Sequence, residues 1–228
     1  MTPTDRFLAE LDAIIQEKHL LKHPFYQLWS EGKLSLESLR QYTRQYHQHV
    51  LRFPTYVSGA HSACPELGDR QQLLENLIEE EQGERNHQEL WLRFGEALGL
   101  ERSNIAGDEP LPETSALDAA FTRLCRRGSF VEAIAALYAY ESMLPAVSES
   151  KIDGLKQFYG IVDRRGLEFF NVHKSIDVAH SQVTREMVGR YADDDGKQAA
   201  ARAAVNEAVE ALWGFLNGVQ REYTTVPA

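Results

Sequence analysis

Apolar positions along this chain return every three or four residues, and no run alternates strictly between apolar and polar. The first helix is predicted over about residues 4–20, with Phe7, Leu8, Leu11, Ile14 and Ile15 on one face. His23 and Pro24 interrupt the pattern. Pro24 suits the first turn of a short helix through Trp29, which Gly32 ends. Ser35 then caps a long helix, SLESLRQYTRQYHQHVLRF, with Glu37 in its first turn. Pro54 is expected to kink or break it before helix resumes to about Ala63. Residues 66–98 read as one further long helix. Gly99 and the stretch GDEPLP (residues 107–112) form the clearest loop. Helices follow at about 115–126, 130–150, 154–174, 177–191 and 197–220, and DDDG (residues 193–196) separates the last two. Long helices, short connections and no linker predict an all-α, single-domain helical bundle over residues 1–228.

The 228 residues, 43% of them hydrophobic, suffice for one sizeable core. A net charge of −10 argues against nucleic acid as a partner, because phosphate binding needs clustered Lys and Arg, and against an anionic membrane surface. No apolar run is expected to reach the roughly 18 residues of a membrane helix. The start, MTPTDRFLAELDAIIQ, reads as an amphipathic helix without the basic and apolar blocks of a signal peptide, so a cytoplasmic chain is expected. The oligomeric state stays open, and a homodimer is compatible with the sequence. Cys64 and Cys125 are far apart and lack CxxC spacing, so both are expected as small core residues.

The chemistry lies in NVHKSIDVAH, where His173, Asp177 and His180 fall at i, i+4 and i+7, on one stripe of a helix. Phe169, Phe170 and Ile176 flank or share that side, so the stripe should face the core. Buried unpaired polar groups are costly, and metal ligation satisfies them; His–Asp hydrogen bonds or a solvated face are the alternatives. In NLIEEEQGERNHQEL, Glu80 and His87 also share a stripe, about 10.5 Å apart in rise, so they are expected to reach a metal pair from its two ends. Glu84 and His87 have the Glu-x-x-His spacing of ferritin-like sites and form a rival pair. Glu141 sits in an apolar helix, IAALYAYESMLPAV, where a carboxylate needs a partner, metal or basic. Three imidazoles and three carboxylates suit an iron or manganese pair better than zinc or calcium.

Glu80-x6-His87, then Glu141, then His173-x3-Asp177-x2-His180 resembles the haem-oxygenase-like dimetal oxidases, and within them the CADD family. The resemblance includes LLKHPFYQLWSEGKLSLESLRQY and YESMLPAVSESKIDGLKQFYG and runs over almost the whole length. It implies a seven-helix-type bundle holding two metal ions, Fe/Fe or Fe/Mn, with molecular oxygen and an external reductant as co-substrates. It favours Glu80 over Glu84 as the ligand. It further implies a self-sacrificing synthesis of para-aminobenzoate for folate, in which a tyrosine gives the ring and a lysine the amine. The matching positions are Tyr26, in HPFYQLW, and Lys151, in SESKIDG. Unaided, they read as a half-buried aromatic and a loop lysine. Tyr42 and Tyr140 are neighbouring candidates for radical relay or for the ring donor itself.

Three other readings compete. A related dimetal oxidase would act on an external small molecule. A thiaminase-type hydrolase would use a cysteine nucleophile, for which Cys125 in RLCRRGS, beside three arginines, is the candidate. A helical protein-interaction module would need a long exposed apolar stripe, and none is visible.

Overall fold

The computed structural model describes residues 1–107 and 109–224, and among these it contains helices and turns but no strand. Asp108, inside the predicted 107–112 loop, and the last four residues of the predicted domain lie outside the described residues. The helices are α1 (Pro3–Glu17), α2 (Pro24–Ser30), α3 (Leu36–Ala63), α4 (Leu67–Glu81), α5 (His87–Ala97), α6 (Arg102–Ala106), α7 (Pro112–Thr122), α8 (Phe130–Glu141), α9 (Leu144–Phe158), α10 (Glu168–Tyr191) and α11 (Asp195–Tyr223).

Side-chain caps set many of these starts. Thr2 with Asp5 and Ser129 with Glu132 form capping boxes on α1 and α8, while Ser35, Asn86 and Asp194 cap α3, α5 and α11. Pro54 does not break α3. The helix runs on to Ala63, because Phe53, Tyr56 and Val57 around the proline are buried and hold the turn that its missing N–H weakens.

Three predicted boundaries are corrected, and all three shape the site. The span 66–98 is two helices, parted at residues 82–86, where Gly83 takes φ +78° and Asn86 starts a new helix. The span 130–150 is broken at Ser142 and Met143, with Pro145 in the first turn of α9. The helices drawn at 154–174 and 177–191 are shifted: α9 stops at Phe158, Gly160 takes φ +69°, and α10 is continuous from Glu168 to Tyr191. Nothing between Lys174 and Asp177 breaks a helix, whereas Gly160 and Gly166 do mark a turn, with the Gly166 N–H bonded to Asp163 Oδ1 at 2.7 Å.

The stretch Phe130–Phe158 is apolar enough over an 18-residue window to pass as a membrane span, contrary to the expectation above. It is interior instead: 72% of that window is buried, α8 packs between α10 and α11, and the core joins residues from every long helix.

Candidate metal and tyrosine site

The break at residues 82–86 is what builds the first half of the site. The expectation that Glu80 and His87 lie a helical length apart is overturned, because the turn folds α5 back and brings His87 Nδ1 to 2.7 Å from Glu80 Oε2. Arg93 pins the turn by donating to the Glu84 carbonyl at 2.7 Å, and its other nitrogens reach Glu89 on α5 and Glu168 on α10. The Glu84 side chain is exposed in this turn. The Glu-x-x-His alternative therefore has no helix to act on.

His173 on α10 completes the cluster. One ligand atom each from Glu80, His87 and His173 lie within 4.8 Å of one another, and all three side chains are buried. The His173 Nδ1 pairs with the Phe169 carbonyl at 2.7 Å, which leaves Nε2 as the ring's free lone pair, the tautomer a metal needs. The second half lies further along α10. His180 Nδ1 is 3.6 Å from Asp177 Oδ1, and its Nε2 is 3.0 Å from Glu79 on α4. Glu141, at the end of α8, accepts from Asn76 Nδ2 at 2.8 Å and from the Thr184 hydroxyl at 3.3 Å.

The charges are frustrated. Burial pushes the Glu141 carboxyl up to about 8. Burial raises Glu80, but the charge of the adjoining His87, with those of His173 and His180, outweighs it and lowers the carboxyl's pKa. Burial pulls His180 down, yet Asp177, Glu141 and Glu79 outweigh it and lift the ring to about 9. Two buried atoms of these six side chains also lack a hydrogen-bond partner. One is Asp177 Oδ2, and the other is His87 Nδ1, whose close approach to Glu80 is not aligned as a hydrogen bond. A divalent ion at each half would neutralise the carboxylates and satisfy these atoms, so the residues fit a metal pair. The donors are all nitrogen and oxygen, the set that suits iron or manganese.

Next to this cluster lies a buried group of tyrosines around one lysine. Lys151 is neither exposed nor in a loop: it sits on α9, 4% exposed, and donates to the Tyr42 hydroxyl at 2.7 Å. Tyr42 in turn shares a hydrogen bond with Tyr26 at 3.0 Å. The amine stands 4.9 Å from the ring centres of both Tyr26 and Tyr42. Burial pulls its pKa down to about 7, and burial holds the Tyr26 and Tyr42 phenols well above theirs. Tyr46 stacks on Tyr42 at 5.4 Å between ring centres, and its hydroxyl is 2.5 Å from that of Tyr140, which adjoins Glu141. Aromatic rings and their hydroxyls thus link Tyr26 through Tyr42 and Tyr46 to Tyr140, the residue before Glu141.

Tyr46 and His49 were missed. His49 is wholly buried against Tyr140, with both ring nitrogens unpartnered. The signal was present, since Tyr42, Tyr46 and His49 repeat the i, i+4, i+7 spacing of the α10 motif. Asn76 and Thr184 lay one turn beyond Glu80 and His180 on the same stripes.

A helical bundle in which buried Glu80, His87 and His173 offer ligand atoms to one site, with Asp177, His180 and Glu141 nearby and no thiolate among them, has the donor set of a metal-binding protein. The chain belongs to the family of iron-containing redox enzymes, whose profile it matches over residues 40–213. It is 44% identical to the 4-aminobenzoate synthase of Nitrosomonas europaea, covering 96% of this chain and 93% of that one. With the 4-aminobenzoate synthase of Chlamydia muridarum it shares 39% identity over 92% of this chain and 89% of the other. Its fold matches that of a TenA homologue from Pseudomonas syringae pv. tomato with a TM-score of 0.82, at 20% identity over 93% of this chain and 92% of that one. A domain with a haem-oxygenase-like fold from Shewanella denitrificans superposes with a TM-score of 0.76, at 17% identity over 96% and 90%.

The hydrolase reading finds no support at Cys125. The thiol is 2% exposed, burial pushes its pKa well above the ordinary value, and its sulfur makes only a weak bond to the Ala133 carbonyl, at 3.9 Å. Of the neighbouring arginines, Arg123 is paired with Glu207 and Glu132. Cys64 is likewise a buried free thiol.

Proposed function

We propose that this chain, acting as one domain, makes 4-aminobenzoate from its own side chains, with Tyr26 giving the ring and Lys151 the nitrogen, once per molecule. The observation that carries the reading is the buried Lys151 amine, held at 2.7 Å on the Tyr42 hydroxyl and 4.9 Å from the Tyr26 ring centre. The names of the two relatives support it. Carbon accounting agrees: the product has six ring carbons and one carboxyl carbon, and a tyrosine side chain has six ring carbons and Cβ. The skeletons match if the Cα–Cβ bond breaks and Cβ is oxidised. The phenol oxygen stands para to Cβ, where the product carries nitrogen, so the new ring C–N bond forms as the ring C–O bond breaks, and the Lys151 Cε–Nζ bond must break to free the amine.

Glu80, His87, Glu141, His173, Asp177 and His180 would hold two metal ions, Fe/Fe or Fe/Mn, which when bound supply oxidising power drawn from molecular oxygen and an external reductant. The protein's part is to position groups and move protons. A nucleophilic amine must be neutral, and burial lowers the Lys151 pKa to about 7, so that a large share of the amine is neutral near that pH. Its aromatic surroundings, Tyr26, Trp29, Tyr42, Tyr46 and Phe170, exclude water from the nitrogen. Tyr42 Oη accepts from Lys151 Nζ and shares a proton with Tyr26 Oη. It can therefore pass a proton from the attacking nitrogen to the departing oxygen. The stacked Tyr46 and its partner Tyr140 give a path for an electron and its proton between the ring donor and the carboxylate cluster.

The test replaces the donors one at a time. Tyr26→Phe and Lys151→Arg should each release no aromatic amine while keeping their metal. Normal release from Tyr26→Phe moves the ring donor to Tyr42 or Tyr140.

A further inference from the structure

His180 is the ligand through which the buried cluster meets solvent. Its side chain is 13% exposed, against 5% or less for Glu80, His87 and Asp177, and Glu141 and His173 are as deeply covered. Above it lies a cleft of about 270 Å³ between α4 and α10, lined among others by Glu75, Asn76, Glu79, Ile176, His180 and Thr184. Its polar walls are not random. Glu79, 44% exposed at the mouth, holds His180 Nε2 at 3.0 Å. Deeper, Asn76 is 3% exposed and turns its amide nitrogen to Glu141 at 2.8 Å, while its carbonyl oxygen is buried with no hydrogen-bond partner. With its nitrogen on Glu141, Asn76 leaves Oδ1 as a hard oxygen donor beside the cleft. A neighbouring depression, which shares Ile176 with the cleft, is lined by Arg85, Arg164 and Glu168 among others and by none of the six ligands.

We infer that Glu79 and Asn76 form a transit site through which a divalent iron ion reaches His180 and Glu141. Glu79 captures the hydrated ion at the surface and exchanges its hold on His180 Nε2 for the metal. Asn76 Oδ1 replaces a lost water as the ion sinks towards Glu141. Glu79 then returns to solvent, so it governs how fast metal enters and leaves but not how much is held. The neighbouring depression takes no part, because it reaches none of the six ligands and its one carboxylate, Glu168, is held by Arg85 and Arg93.

The experiment mixes metal-free protein with cobalt(II) in a stopped-flow instrument without oxygen and follows the ligand-field absorption as the ion binds. Glu79→Gln should slow uptake by roughly tenfold or more, because it removes the ligating carboxylate at the mouth that hands the ion to His180, and not only a charge from the cleft. Removal by a chelator should slow in step, and the final two ions per chain should be unchanged. Glu79→Asp should recover much of the rate, and Glu75→Gln, which removes the same charge from the same cleft, should change it little. Uptake by Glu79→Gln as fast as by the unaltered chain, or faster, overturns the inference, and so does an equal slowing by Glu75→Gln. A lower final metal content would make Glu79 a permanent ligand and overturn it too. Because the readout is metal uptake and not product, the outcome is independent of whether Tyr26 is the ring donor. Failure of the unaltered chain to take up metal would overturn the metal site and this route together.

Discussion

Replacing Lys151 with Met removes one amine and keeps nearly all of its bulk, and the consequence for stability should depend on pH in a defined way. The ordinary pKa of a lysine, 10.5, applies in the unfolded chain, and burial lowers it to about 7 in the folded one. Between these values the unfolded state binds a proton that the folded state refuses. Folding stability is therefore complete above pH 10.5 and is lost, at ~1.4 kcal/mol per pH unit, as pH falls towards 7. Five aromatic rings within 5.6 Å of the amine oppose this, since their faces favour an ammonium by ~1–2 kcal/mol. Burial still wins, leaving a span of roughly 2–4 kcal/mol across the window. The lost hydrogen bond to Tyr42 costs about 1 kcal/mol at every pH and cancels from the slope. Urea denaturation of both metal-free proteins at half-unit steps from pH 7.5 to 9.5 isolates the term, because all other groups are common to the two. Lys151→Met should gain on the parent as pH falls. Parallel stability profiles would mean that Lys151 is not held neutral, and the nucleophile in the proposed chemistry would be lost.

Tyr42→Phe should slow amine release by about a hundredfold, the scale of a removed acid–base group, with metal content unchanged; an unaffected rate would take Tyr42 out of the proton path. Glu80→Ala should lose metal as measured by elemental analysis, whereas Glu84→Ala should retain it, since the Glu84 side chain is exposed; the reverse would restore the ferritin-like assignment. Gly154→Ala should destabilise the fold by about 1–3 kcal/mol in denaturant melts, although Gly to Ala inside a helix usually stabilises. A Cβ there would stand 2.8 Å from the Trp29 ring and 3.1 Å from its backbone carbonyl, and a stabilised variant would show that α2 yields freely.

Periodicity made the helices and their inward faces legible, because Phe7, Leu8, Leu11 and Ile15 are buried together as their spacing requires. It also made the α10 stripe legible, since His173, Asp177 and His180 share a core-facing side where apolar packing alone cannot satisfy them. What it did not reveal was where helices stop. Residues 79–89 carry no apolar side chain, so the helical period has nothing to register there, and only the αL glycine and the new cap betray the turn. That turn decides the site, because it converts two residues a helical length apart into a 2.7 Å pair. Lys151 was legible only through resemblance. Its neighbours Ser150 and Ile152 carry no sign that the amine enters an aromatic cage, because the cage comes from α2, α3 and α10, distant in sequence. Tyr46 could have been found from the sequence, since it repeats the ligand spacing on α3.

The most direct measurement is of product per chain. Protein carrying ring-labelled tyrosine is loaded with iron, then given reductant and oxygen with no added substrate, and the released aromatic amine is quantified and its label traced. The account predicts labelled 4-aminobenzoate approaching, and never exceeding, one molecule per chain, with the same chain left lacking the Tyr26 side chain and the Lys151 nitrogen. Unlabelled product, or more than one molecule per chain, would contradict it and require an external substrate.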